Sequence, residues 1–160
     1  MPLVQSQIFI AAPPEKVWAL ISDLERGPEW SVVTLRCDIT SGKPLGVGST
    51  YCAVSKFVAS EITTEHEIVE WVPPSRVVSE VTRGAESTFT QTCEPQGEGT
   101  LLTMSNEFAL PRGVPGPLGD KVAQQVANTL SRELARIKEV VEGSSPRVAS
   151  GDEADYSERG

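Results

Sequence analysis

The side chain best suited to acid–base chemistry near neutral pH is His66, the only histidine in the 160-residue chain. Imidazole is the side chain whose unperturbed pKa lies nearest neutrality. Simple alternation places His66 on the more apolar face of a predicted strand, where it could act as a general acid or base or anchor a ligand. The alternative is an ordinary strand histidine with a local partner or solvent, which is the more common case. Tyr51 is the second, weaker candidate for such chemistry.

Asn106 is the next polar candidate, because it interrupts an apolar run on one face of its strand. The other positions on that face hold Leu102, Met104, Phe108 and Leu110. A buried amide needs a hydrogen-bond partner, which is a ligand, another protein group or a buried water.

Three further polar residues are weaker binding candidates. Tyr51 and Thr90 resemble Asn106 in their setting. Arg83 lies near a strand end and could pair with a ligand carboxylate, although such an arginine is more often a solvated charge at the rim.

Motifs for covalent, metal or nucleotide chemistry are not found in the sequence. It contains no Gly-x-Ser-x-Gly, no cysteine beside the histidine and no His-Glu-x-x-His. Gly46-Val-Gly48 is too short for a dinucleotide loop. We therefore expect no cofactor and no metal.

The three cysteines, Cys37, Cys52 and Cys93, predict reduced thiols. Their spacings match no zinc pattern. A hairpin turn near Lys43 would bring Cys37 and Cys52 opposite each other, and we interpret them as neighbouring small buried side chains rather than a disulfide.

The elements that position these residues are mainly strands. Two short helices are predicted after the first strand, beginning at Pro13-Pro14 and Asp23, because proline is tolerated in a first helical turn. Turn formers separate seven strand-like segments: 3–11, 32–40, 49–57, 61–72, 76–83, 87–94 and 100–110.

One long amphipathic helix is predicted from about Pro117 to Glu142. Its apolar stripe repeats with a mean step of about 3.6 residues, the helical period, and consists of Ala123, Ala127, Leu130, Leu134, Ile137 and Val141. Together with the strands it could enclose an apolar space. The large apolar residues that would line this space are Trp30, Trp71, Phe89, Met104 and Leu130. The sequence alone does not separate such a lining from a filled core.

Composition places the chain among soluble globular proteins of one domain. It is 39% hydrophobic and 22% charged, with a formal net charge of −8. Negative charge opposes binding to nucleic acid or anionic membranes, and no apolar run is long enough to span a bilayer. We expect a cytoplasmic protein whose domain occupies residues 1–143, followed by an acidic disordered tail at 144–160.

The element order and two motifs resemble the START-like polyketide cyclase/dehydrase superfamily. The motifs are Pro14-Glu-Lys-Val-Trp18, with Ile21, Asp23 and Trp30, and Val69-Glu-Trp-Val-Pro-Pro-Ser-Arg76. The resemblance covers about residues 3–142. It implies an α+β helix-grip fold, in which a curved seven-stranded antiparallel sheet wraps around the long C-terminal helix.

The function that follows is binding of a hydrophobic or aromatic small molecule, such as a lipid, polyketide-like or isoprenoid compound, between the sheet and the helix. The predicted ligand-binding residues are Trp30, Tyr51, His66, Phe89, Met104, Asn106 and Leu130. Two alternatives stay open: a polyketide cyclase, aromatase or dehydratase using His66 and Tyr51, and a protein-interaction module.

Overall fold

The computed structural model describes residues 1–57, 59–110 and 112–143. Seven strands form one antiparallel sheet in the order β1-β7-β6-β5-β4-β3-β2. The strands are β1 (Leu3–Ile10), β2 (Thr34–Ile39), β3 (Thr50–Phe57), β4 (Ser60–Val72), β5 (Arg76–Arg83), β6 (Ser87–Gln96) and β7 (Gly99–Phe108). The predicted α+β helix-grip architecture is confirmed. The predicted tail at 144–160 lies outside the described residues.

Two short helical segments follow β1, as the prolines predict. Helix α1 (Pro14–Ile21) starts with proline in its first turn. The second predicted helix, beginning at Asp23, is in the structure a 3-10 turn (Leu24–Arg26) that leads into the single-turn helix α2 (Gly27–Trp30).

The long helix α3 (Gly116–Gly143) packs mainly against β1 and also against α1, α2 and β7. We call the sheet surface on this side the inner face. It carries the fully buried side chains Ile10, Ile68, Leu102 and Met104, and α3 contributes Leu130, Leu134 and Ile137 to the same core. The predicted apolar stripe of the helix is therefore confirmed.

Three register shifts interrupt the strand pairing; one lies between Glu65 and His66, and the other two change the face on which residues lie. The register shifts between Thr34 and Arg36, which leaves Leu35 exposed although alternation places it beside Cys37. A second shift, between Ile68 and Glu70, turns Trp71 toward the core and leaves Val72 exposed. Expectations based on strict alternation are wrong at these points, because a bulge inserts one extra residue into the strand.

The register also corrects the expectation for the cysteines. Cys37 pairs with Ala53, while Cys52 pairs with Asp38. The two cysteines are thus one position out of register and lie on opposite faces of the sheet. Both are free thiols.

The C-terminal half of α3 is held by polar contacts to the N-terminal part of the chain. Glu142 Oε2 accepts a hydrogen bond from the Ala11 backbone N–H at 2.7 Å, and Lys138 Nζ donates to the Phe9 carbonyl at 3.0 Å. Nearer the middle of the helix, the hydroxyls of Ser6 and Ser131 are 3.3 Å apart.

Glu133 makes the one buried polar contact in this group. It is 5% exposed, and its Oε2 accepts hydrogen bonds from Ser31 Oγ at 2.7 Å and from the Val32 N–H at 3.1 Å. The contact connects α3 to the chain between α2 and β2. Burial raises the pKa of Glu133, and the two donors counteract part of that effect.

No helix within residues 1–57, 59–110 and 112–143 has the length and apolar character needed to cross a membrane.

Substitution of Glu133 tests this contact. Glu133→Ala leaves two buried donors without their acceptor, and we expect the free energy of unfolding to fall by about 2 kcal/mol. Glu133→Gln is the matched control, because it retains an acceptor oxygen. Urea unfolding at several pH values measures both variants.

The pH dependence follows from the raised pKa. The stability that Glu133 contributes is fully present below the unfolded-state pKa and is lost as the pH rises through the folded-state value. Glu133→Gln lacks this loss, so its stability relative to the wild type should increase with pH. Equal stability of the Ala and Gln variants would contradict the assigned contact.

Candidate functional site

The inner face and α3 are both incompletely covered at one end, which we call the open end. There, Phe89 and Asn106 on the sheet and Ala123, Val126 and Ala127 on the helix are only half-buried. By contrast, the stripe from Leu130 to Val141 is buried. We call the region where these two half-buried apolar faces come together the groove, because its partly accessible apolar surface is what an apolar molecule could cover.

The polar contacts of α3 fix which end this is. Ser131 lies beside Ser6, and Glu142 beside Ala11. The N-terminal half of α3 therefore lies level with the start of β1, where Val4 pairs with Asn106 and Asn106 pairs with Phe89. The half-buried positions of helix and sheet thus belong to the same end.

Tyr51 and His66 form a stacked pair on the inner face. They are register partners on β3 and β4, with ring centroids 4.7 Å apart and an angle of 5° between the rings. The Tyr51 hydroxyl donates to Ser79 Oγ at 2.9 Å, and His66 Nε2 lies 2.8 Å from Thr64 Oγ1. The Tyr51 hydroxyl and His66 Nε2 are therefore each hydrogen-bonded to the hydroxyl of a neighbouring side chain.

Both rings of the pair are uncharged at neutral pH. Burial lowers the pKa of His66 to about 4 and raises the pKa of Tyr51 to about 12. In this state the two rings can offer hydrogen bonds and an aromatic surface. With a pKa of about 4, His66 is a weak proton acceptor at neutral pH. General-base catalysis is most efficient when the pKa of the base lies near the working pH.

Gly84 follows the end of β5 and lies beside Thr64, the partner of His66. Its φ is +129°, and a Cβ atom at this position would come within 2.9 Å of the Thr64 side chain. Glycine is required here both by the backbone conformation and by the close approach. A larger residue would displace Thr64, which is the partner of His66.

Asn106 has a protein partner at the open end. Its Oδ1 accepts a hydrogen bond from Ser87 Oγ at 2.6 Å. Among the described residues no acceptor bonds to the two amide N–H groups of Asn106, and the side chain stays half-buried next to Phe89. The sequence left open whether the partner of Asn106 is a ligand, a protein group or a water. For its Oδ1 the structure shows a protein group, Ser87.

Two buried nitrogens have no partner among the described residues: Trp30 Nε1 and Gln91 Nε2. Trp30 is 9% exposed and Gln91 is 5% exposed. Leaving a buried donor unpaired costs on the order of 1–3 kcal/mol. Such groups require an explanation, and a bound polar atom is one.

The predicted ligand-binding residues fall into two groups. Tyr51, His66, Phe89 and Asn106 lie together on the inner face toward the open end. Met104 and Leu130 are 0% and 2% exposed and pack in the core. Trp30, at the end of α2, is buried in the same core.

Two other candidates lie away from the inner face. Arg83 has a side chain that is 80% exposed and pairs with Glu65 at 3.5 Å, as expected of a charge at the rim. Thr90 alternates with Phe89 and Gln91 and therefore lies on the opposite face of the sheet.

Two surface depressions bear on the site. One, of about 380 Å³, is bordered by the stacked pair Tyr51 and His66 themselves; its other lining residues are Thr40, Thr50, Cys52, Glu65 and Thr82. The other, of about 300 Å³, lies between the end of α1 and the β2–β3 loop and includes Trp71 and Lys43.

Sequence reasoning missed Gln91 and Glu133. Gln91 interrupts the inner-face series Phe89 and Cys93, so the pattern that indicated Asn106 also applies to it. Glu133 lies between Leu130 and Ile137 on the apolar stripe of α3. The hydroxyl partners Thr64, Ser79 and Ser87 give no comparable signal, because their roles depend on the register.

No group of three or more His, Cys, Asp or Glu side chains converges anywhere in the part of the chain that the structure describes. Burial raises the pKa of Cys37 and of Cys93 to about 12, so both thiols are protonated and unreactive at neutral pH.

The comparisons with known proteins agree with this architecture. A family model described as "Polyketide cyclase / dehydrase and lipid transport" matches residues 1–142. No curated protein matches the chain.

Several solved structures are similar in fold. The protein TTHA0849 from Thermus thermophilus is 23% identical, with a TM-score of 0.76 over 90% of this chain and 99% of its own. The Zhui aromatase/cyclase from Streptomyces sp. R1128 is 14% identical, with a TM-score of 0.70 over 88% of this chain and 93% of its own. The di-domain ARO/CYC StfQ from the steffimycin biosynthetic pathway is 15% identical, with a TM-score of 0.75 over 88% of this chain and 50% of its own.

The lowered pKa of His66 can be measured directly. Because the chain has one histidine, its imidazole NMR signals are unambiguous, and we expect them to titrate with a pKa of about 4. A midpoint near 6.5 would place the ring in water and contradict the buried stack.

The same shift has a consequence for stability. The unfolded chain binds a proton at His66 near pH 6.5 but the folded chain only near pH 4, so stability is lost as the pH falls through this interval. The variant His66→Gln should lack this component of the pH dependence.

Proposed function

The chain belongs to the polyketide cyclase/dehydrase and lipid transport family, and we propose that it binds a hydrophobic or aromatic small molecule between the inner face and the N-terminal half of α3. Lipid, polyketide-like and isoprenoid compounds are the ligand classes that this groove suits. The protein would act as a binder or carrier, with no cofactor and no metal.

The observation that carries the proposal is the matched half-burial at the open end. Val126 and Ala127 on α3 and Phe89 on β6 are apolar, yet each remains partly accessible. A ligand that buries about 200 Å² of apolar surface here would gain about 5 kcal/mol before the cost of immobilisation.

Polar groups at the same end would set the orientation of the ligand. Asn106 has unused amide N–H groups beside Phe89, and the stacked pair Tyr51 and His66 lies further across the same face. Few polar groups in a mostly apolar groove are typical of small-molecule sites.

A helix-blocking substitution tests the binding function. We expect Ala127→Phe to fill the groove and weaken binding of a neutral apolar fluorophore, N-phenyl-1-naphthylamine, by at least about tenfold. Fluorescence titration gives the dissociation constant. If the phenyl ring disturbs folding, Ala127→Leu gives a smaller obstruction and should have a smaller effect in the same direction.

Ala135→Phe is the matched control, because Ala135 lies on the same helix but is exposed. It should leave the dissociation constant unchanged. Loss of affinity in both variants, or in neither, would place the ligand elsewhere.

A second function, cyclisation or dehydration of a poly-β-ketone, is supported by the stacked pair alone. Such chemistry needs a base to remove a proton from the carbon between two carbonyls and an acid to protonate the oxygen. His66 and Tyr51 are adjacent, with ring centroids 4.7 Å apart. The low pKa of His66 makes it a weak base, which favours binding over catalysis.

The catalytic alternative is tested with a thioester of a short poly-β-ketone and analysis of the products by mass spectrometry. If it holds, wild-type protein accelerates cyclisation, and His66→Gln loses at least about 100-fold of that acceleration. Tyr51→Phe keeps the stacking but removes the hydroxyl. A wild-type rate equal to the rate in buffer would leave only the binding function.

A further inference from the structure

We propose that the carboxamide of Gln91 is a specificity-determining donor, which hydrogen-bonds a neutral carbonyl oxygen of the ligand. The inference rests on the binding function proposed above, and it specifies the ligand as an apolar compound that carries an uncharged oxygen acceptor.

Gln91 lies on the inner face, in the row next to the open end. On the inner face it pairs with Met104 of β7 and Val77 of β5, and Phe89 and Cys93 flank it along β6. It therefore lies one row deeper than Phe89, which belongs to the open end. Ser6 pairs with Met104 and contacts Ser131, so this row is level with the middle of α3.

The Gln91 amide is surrounded by apolar side chains. Met104, Val77 and Cys93 are buried apolar side chains, and Gln91 itself is 5% exposed. Among the described residues, no atom accepts a hydrogen bond from its Nε2. The hydroxyl donor of Tyr51 on this face is bonded to Ser79, and Asn106, whose Oδ1 accepts from Ser87, is only half-buried, so its N–H groups are not enclosed as those of Gln91 are. The Nε2 amide group of Gln91 is thus a buried donor in apolar surroundings, with no acceptor among the described residues.

The direction of the missing bond indicates the ligand group. An amide nitrogen only donates, so its partner must be an acceptor. Trp30 Nε1, the second unpartnered buried nitrogen, is also a donor only. Both unsatisfied atoms therefore require acceptors, which a carbonyl or hydroxyl oxygen supplies and an ammonium group does not.

The charges nearby make a neutral acceptor the better match. Met104, Val77 and Cys93, which flank Gln91 on the inner face, carry no charge. Arg76 lies on the opposite face, engaged with Glu70 and Thr92. The buried acidic side chain on α3 is Glu133. A carboxylate ligand would lose its hydration without gaining a cation, whereas a ketone, quinone or ester oxygen loses little.

Three ligands that share the fluorene ring system and differ at carbon 9 test the inference: fluorene, 9-fluorenone and fluorene-9-carboxylate. Their affinities are measured by displacement of N-phenyl-1-naphthylamine. We expect wild-type protein to bind fluorenone about tenfold more tightly than fluorene, and the carboxylate least tightly.

The variant Gln91→Met replaces the amide with an apolar chain of similar length. The preference for fluorenone over fluorene should fall to about one, while fluorene itself binds at least as well as before. The melting temperature without ligand should rise, because an unpaired buried donor has been removed. Thr90→Val, on the same strand but the opposite face, is the matched control and should keep the tenfold preference.

The outcomes separate the inference from the binding function. Equal binding of fluorene and fluorenone by the wild type overturns the role of Gln91 but leaves the groove as a binding site, and this comparison needs no variant. Tightest binding of the carboxylate overturns the neutral-acceptor assignment. Failure of all three ligands to bind, together with failure of the fluorophore, overturns the proposed function itself.

Discussion

The polar attachment of α3 through its C-terminal half is the constraint on which the groove depends. Contacts from Ser131, Glu133, Lys138 and Glu142 hold the C-terminal half to β1 and to the chain before β2. The N-terminal half continues across the sheet on small side chains such as Ala123 and Ala127. Because a helix is stiff over this distance, the anchored half sets the height of the other half above the inner face.

The inner face combines an apolar surface with a few polar side chains, of which Tyr51, His66 and Asn106 have a partner in the protein, whereas Gln91 Nε2 has none among the described residues. Tyr51 with Ser79 and Asn106 with Ser87 are partners from different strands, and His66 with Thr64 is a partner within one strand. Such pairing keeps buried hydroxyl, amide and imidazole groups at a low cost in free energy. Local pairing on an apolar face is compatible with many ligands, which is why the fold alone does not define the chemistry.

Sequence periodicity was sufficient for the architecture but not for the site. Alternation and turn formers located all seven strands, and the stripe from Ala123 to Val141 located α3, since these signals are local. The bulges at Leu35 and Val69 were not predictable, because they depend on how neighbouring strands pair. The partners of Tyr51, His66 and Asn106 depend on the same register. Gln91 and Glu133 were visible as polar residues in apolar series, but their burial became evident only when the sheet and α3 were brought together.

The arrangement of the tryptophans gives the protein a built-in optical property. Trp18 and Trp30 are buried in the core between the sheet and the helices, and Trp71 packs against it half-buried, with its ring in edge-to-face contact with Trp18 at 5.2 Å. These are all the tryptophans of the chain, and none is a fully exposed indole. The intrinsic ultraviolet emission of the folded protein therefore arises mainly from its interior, and its wavelength and intensity report on the polarity of the concave side of the sheet.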